Sequence, residues 1–314
     1  MFNTPVKIQP LAKKINHNSK LITLGSCFSE HIGKKLAGAC FMVDSNPFGI
    51  LFNPASIKNS IFDLLAEKKY TKEDLFLNGS LWSSFSHSTL FSDTDQEVCL
   101  QNINNRLDYS IKMLKEADFI LITFGTAWVY ELKENGRLVA NCHKLPAEKF
   151  IRRRLSVEEI VKDYADLLIK IKVVNPQITV IFTVSPVRHW KDGAYENNIS
   201  KGILHLAIDS LCSQFDFLSY FPAYEILMDE LRDYRFYAQD MLHPASITID
   251  FIWKKFIEFC MNEETKEIVE RVEDIRLQEK HQSIHPNSSE HKLFLENLNE
   301  KKRKLMHDYP IIKM

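Results

Sequence analysis

Three apolar runs rich in β-branched residues punctuate the chain without alternating: KLITL (20–24), FILITF (119–124) and ITVIFTV (178–184). A run that is apolar at every position suits a strand covered on both faces, as in a parallel sheet layered with helices. Helical periodicity fills the stretches between them, at 54–67, 96–116 and 156–174, and the second and third of these lead directly into a strand. Ser156 followed by Glu159 has the spacing of a capping box, which satisfies free amides at a helix start. A further helix is predicted over 197–214, with FDFLSYF (216–221) as a weaker fourth strand. Strand and helix alternate, so the predicted fold is α/β, a three-layer α/β/α sandwich with a mainly parallel sheet.

Two regions break that rhythm. WVYELKENGRLVAN (128–141) sets Asn135-Gly136 between alternating apolar positions, a hairpin signal expected at the rim or edge of the sheet. Beyond residue 262 the chain becomes highly charged and reads as two amphipathic helices separated by SIHPNSS. We therefore divide it into an α/β domain, 1–262, and a charged helical extension, 263–314, expected to pack on the core or to mediate self-association. KKRK (301–304) is read as a solvated helix face.

Composition narrows the function classes. With 40 Lys and Arg against 41 Asp and Glu in 314 residues, the molecule has no overall charge bias towards nucleic acid or an anionic membrane. Its apolar runs are too short to span a bilayer and its first residues lack a leader pattern, so we expect a soluble, cytoplasmic protein. The six cysteines (27, 40, 99, 142, 212 and 260) show no C-x-x-C spacing and are read as reduced thiols. No dinucleotide fingerprint, phosphate loop or His-Glu-x-x-His occurs, and we expect no cofactor and no metal.

Ligands of open α/β sheets gather at the carboxyl ends of the strands. The residues there are Gly25-Ser26-Cys27, Gly125-Thr126-Ala127-Trp128 and Ser185 to His189. Further on, Asp240 precedes His243 by one helical turn's spacing, so the carboxylate can fix the tautomer of the imidazole. Arg188 and His189 are candidate anchors for an anionic or acyl-donor group. Cys142 and His143 are set aside as a rival thiol–imidazole dyad, because neighbours on an extended segment point to opposite faces.

GSCFSEHIG, NPFGILFNPASI, FGTAWVYE, SPVRHWKDGAYENNISK and YFPAYEILMDELRDYRFYAQDMLHP, in that order, resemble the GSCFA family of the SGNH (GDSL-like) hydrolase superfamily over residues 20 to 260. The resemblance implies a nucleophile after the first strand, oxyanion donors from later Gly and Asn blocks, and a terminal Asp-x-x-His. Asp240 and His243 match the last block. Laying Gly25-Ser26-Cys27-Phe28 on Gly-Asp-Ser-Leu puts Cys27 at the nucleophile position, and a one-residue shift puts Ser26 there. Cys27 leads, because a thiol at a helix start has its thiolate stabilised by free amides and a neighbouring His243 would lower its pKa further. Gly49 and Asn46 are the candidates for the second block. The third block has lost its asparagine, and Thr126 or Asn141 stands in. The implied function is an esterase or O-acyltransferase acting on a small-molecule or glycan acyl ester. The alternative is a binding protein that keeps the fold without catalysis.

Overall fold

The computed structural model describes residues 4–314. Its first half comprises β1 (Lys20–Gly25), α1 (Cys27–Gly38), β2 (Met42–Ser45), α2 (Pro54–Leu65), β3 (Leu75–Asn78), β4 (Leu81–Ser84) and α3 (Gln96–Glu116). There follow β5 (Phe119–Phe124), β6 (Trp128–Leu132), β7 (Leu138–Val139), β8 (Phe150–Arg154), α4 (Val157–Val174), β9 (Thr179–Val184) and α5 (Gly193–Gln214). The chain ends with β10 (Leu218–Tyr220), the short α6 (Ala223–Glu225) running into a π-helical turn, α7 (Ser246–Cys260), α8 (Glu263–Glu279) and α9 (Ser289–Asp308).

The main sheet has the order β10-β9-β5-β1-β2, and every pairing in it is parallel. Its continuous apolar strands are covered on both faces, as their pattern requires. Ile22, Leu24, Ile120, Ile122, Val180 and Phe182 pack into one cluster with α2 to α5. Their neighbours Leu21, Phe119, Leu121 and Ile181 pack with α1 and α7 on the other side. The three-layer α/β/α sandwich is thus a direct consequence of period-two side-chain direction acting on uninterrupted apolar strands.

Local signals set the helix starts. Asn53 caps α2 by accepting the Ser56 amide at 2.8 Å with Pro54 just inside, Asp95 caps α3, and Ser156 with Glu159 forms the capping box of α4. The hairpin at 128–141 forms, but not on the main sheet: β6 pairs with β7 and with β8 in a separate antiparallel sheet. Long Arg side chains on β8 reach β6 and the α5 end, where Arg152 pairs with Asp192 and Arg153 with Glu131 at 2.9 Å. No helix among the described residues is long and apolar enough to cross a membrane.

The two C-terminal helices form. Val269 of α8 is buried in the cluster shared by α1 and α7, and Trp253 Nε1 donates to Glu273 at 2.7 Å. The outer face of α8 packs with Leu298, Leu305 and Ile312 in a small satellite cluster.

After β1 the chain turns outward to β2, and then crosses back to place β5 on the opposite side. That reversal makes the carboxyl ends of β1 and β5 the topological switch point, where sheets of this kind form their ligand crevice.

Candidate functional site

β1 ends at the crevice in Gly25, whose φ of +139° and lack of a side chain are both required: a Cβ there would lie 2.2 Å from the Thr123 carbonyl oxygen. Ser26 then caps α1. Its hydroxyl is fully buried and accepts the Phe28 amide at 3.3 Å. Cys27 is the first helical residue and is half-buried. Burial pushes its thiol pKa up, against the pull of its own and the Phe28 amides and of the Lys201 charge. The expected lowering by His243 does not appear. Loss of water around the sulfur outweighs the helix-start amides.

Behind this turn lies a group of buried polar side chains from the β9–α5 segment. Lys201 is 2% exposed, and its ammonium donates to the carbonyls of Gly125 at 2.7 Å and Ser185 at 2.6 Å. It thereby joins the carboxyl ends of β5 and β9. Burial depresses its pKa to about 7, aided by Arg188 and opposed by Cys27. His189 stands across Gly125 from Ser26: a Cβ built on that glycine would be 3.1 Å from His189 Nε2 and 3.4 Å from Ser26 Cβ. Its Nε2 is buried without a partner, and burial first, then Lys201 and His243, lower its pKa to about 3. Asn197 holds its backbone by accepting the His189 amide at 2.9 Å.

Asp240 and His243 come together as their spacing suggests. One Asp240 oxygen accepts the amides of Leu242 and His243 at 2.9 Å each, and the other meets His243 Nδ1 at 2.6 Å. These amides, followed by the ring, hold the Asp240 carboxyl at a pKa of about 2. The Arg188 amide donates to the Leu242 carbonyl at 3.2 Å, which ties this loop to the one carrying His189. The charge of His243 also reaches His31, one turn along α1 from Cys27. His243 therefore lies near His189 and His31. Its ring makes no hydrogen bond to Cys27 or Ser26, and its side chain is half exposed.

The residues considered for the oxyanion separate. Asn46 accepts the Gly25 amide at 3.0 Å through Oδ1, leaving its Nδ2 buried and unpartnered beside the turn. The Gly49 amide is engaged by the Asn46 carbonyl at 2.8 Å, and the glycine packs on Ser88, where a Cβ would come within 2.0 Å of Oγ. It closes a turn and offers no free donor. Thr126 is committed to Ser200 at 3.1 Å and to the Trp128 amide at 3.2 Å. Asn141 lies beside the small antiparallel sheet, accepting the His143 amide at 2.8 Å and donating its own to Phe85 at 3.4 Å. Arg188 lines a neighbouring cleft with Asp240 and Leu242. Among the described residues, no group of three or more His, Cys, Asp or Glu is gathered for a metal.

The sequence profile of the GSCFA family matches residues 20–256. The chain belongs to the GSCFA family. Its GSCFA region thus contains every residue of the crevice, and α8 and α9 lie beyond it. No curated protein sequence matches the chain significantly. Among solved structures it is similar to an acetyl xylan esterase from the rumen bacterium Butyrivibrio proteoclasticus, at 10% identity and a TM-score of 0.38, covering 77% of this chain and 63% of that one. It is also similar to a family 3 carbohydrate esterase from Clostridium thermocellum, at 13% identity and a TM-score of 0.34, covering 80% and 97% of the two chains. A carbohydrate esterase of family 3 from Talaromyces cellulolyticus gives 10% identity and a TM-score of 0.37, covering 82% and 99%.

His189 is one of the strand-end residues that the sequence points to, whereas Lys201, within SPVRHWKDGAYENNISK, is a buried group of the GSCFA crevice that the sequence reading leaves without a role. The available signal was the polar stripe Asn197, Ser200 and Lys201, which continues into Leu204 and Ile208 at helical spacing. Polar residues on the apolar face of a helix mark a buried network.

Proposed function

We propose that the protein handles acyl esters, as an esterase or an O-acyltransferase, with Cys27 as nucleophile. The observation that supports this reading is the Asp240–His243 pair, whose Nδ1 contact leaves Nε2 free for chemistry. Ser26 is spent on capping α1, whereas Cys27 is the partly accessible side chain of the turn.

In this mechanism His243 Nε2 takes the thiol proton as sulfur bonds to the acyl carbon, and Asp240 stabilises the imidazolium. The oxyanion is held by the Cys27 amide and by the unpartnered Nδ2 of Asn46. As the C–O bond breaks, the leaving oxygen takes the proton from His243. Water or an acceptor hydroxyl then gives a proton to the same nitrogen while attacking the thioester, and the thiol is restored. Lys201 is a positioning residue beneath the turn, fixing the Gly125 and Ser185 carbonyls and stabilising negative charge on sulfur.

The test is hydrolysis of a short-chain aryl acetate by the intact protein and by Cys27→Ala and His243→Ala. Each substitution is expected to lower kcat/KM by about 100- to 10,000-fold. Undiminished activity of His243→Ala would remove the mechanism. The raised thiol pKa favours a second reading, a binding protein with an inert cysteine. Alkylation by iodoacetamide at neutral pH separates the two, since an enzyme's Cys27 reacts faster in the presence of His243 than in its absence.

A further inference from the structure

A cleft of about 600 Å³ opens beside the Asp240–His243 pair, lined by Arg188, Trp190, Met228, Tyr234, Tyr237 and Met241 among others. Three of its apolar side chains stand in water, with Trp190 49%, Tyr234 76% and Met241 50% exposed. Exposed aromatic faces around one concavity suit a ligand with a flat, apolar side.

Its charge is unbalanced. The Arg188 guanidinium has no carboxylate partner among the described residues; it donates only to the Met228 sulfur at 3.6 Å and the Asn198 amide oxygen at 3.3 Å, and its Nε is buried with no acceptor. It lies over the Trp190 ring, 5.4 Å from the centroid. The two carboxylates of the cleft are taken, Asp240 by His243 at 2.6 Å and Asp233 by Arg235 at 2.9 Å. A half-buried guanidinium held by weak acceptors keeps most of its capacity for a charged one.

We propose that this cleft holds the non-acyl part of the ester, and that this part carries an anionic group, a carboxylate or a phosphate, bound by Arg188 beside the aromatic wall. The proposal rests on the acyl-ester reading for its orientation, with the acyl carbon at Cys27 and the anion across His243. The cleft itself is independent of the chemical step.

Two acetates of one ring, 4-acetoxybenzoate and 4-acetoxybenzamide, compare charge at nearly constant shape. The intact protein is expected to favour the anionic ester in kcat/KM, although it is the worse leaving group. Arg188→Gln is expected to lower the anionic-to-neutral ratio by about 10- to 100-fold, with Arg188→Lys in between. Benzoate should compete better than benzamide, and comparison with phenyl phosphate tells which anion the cleft prefers. Equal treatment of the two esters, or a preference that survives Arg188→Gln, would overturn the proposal and leave the esterase reading in place. If neither ester is cleaved, the acyl-ester reading fails. Calorimetric titration of the unsubstituted protein with benzoate and benzamide then decides the cleft: charge-dependent binding lost in Arg188→Gln supports it, and no difference ends it.

Discussion

Lys201 has the most unusual setting of the charged residues near the turn after β1, because its ammonium is buried within reach of the Cys27 thiol. Its pKa of about 7 lies below the ordinary lysine value of 10.5. Between those two pH values the unfolded chain holds a proton that the folded one has released, so stability rises with pH across the window and this contribution is lost below it. Lys201→Met should remove a slope of up to about 1.4 kcal/mol per pH unit, measured by urea unfolding from pH 7 to 10. The same substitution withdraws the positive charge that favours thiolate. The pH midpoint of Cys27 alkylation is therefore expected to move upward, an effect that simple loss of packing would not give.

At the scale of elements, the turn from β1 into α1 combines two roles in adjacent residues. Gly25 makes the bend, Ser26 satisfies the Phe28 amide, and Cys27 is left at the crevice. Ser26→Ala should cost about 1 kcal/mol of stability, the usual penalty for losing a helix cap, seen as a lower urea midpoint. Its effect on aryl acetate cleavage should be far smaller than that of Cys27→Ala. The reverse ranking would make Ser26 the nucleophile. Strands β1, β5, β9 and β10 and most helices could be located from the apolar pattern because each rule involved acts within a few residues, whereas the short edge strand β2 carries no such run. The hairpin at 128–141 shows where that stops: Asn135-Gly136 specifies the turn, but not the partner. Only the pairing of β6 with β8, some twenty residues later, assigns it to a second sheet.

For the molecule as a whole, the charged C-terminal stretch is bound to the α/β layers through a few buried contacts. Val269 enters the cluster that α1 and α7 share, and Glu273 accepts from the buried Trp253. Deleting 263–314 would expose that cluster and leave the indole N–H without its acceptor. A loss of several kcal/mol is expected, at about 1.5–3 kcal/mol for each large apolar side chain uncovered, together with lower solubility. Equal urea midpoints for the full chain and residues 1–262 would show that the two helices are an appendage.

The sequence by itself determined the parallel α/β layers, the Ser156–Glu159 capping box of α4, the turn after β1 and the Asp240–His243 pairing, since all of these follow from periodicity or from side chains reaching nearby groups. Tertiary structure decided what each polar group has left to offer. It used the Gly49 amide and the Thr126 hydroxyl internally, left Asn46 Nδ2 and Arg188 Nε without partners, and brought Lys201 under a thiol far away in the chain. Hydrogen-bond capacity and desolvation depend on every neighbour in space, and no local pattern carries that information.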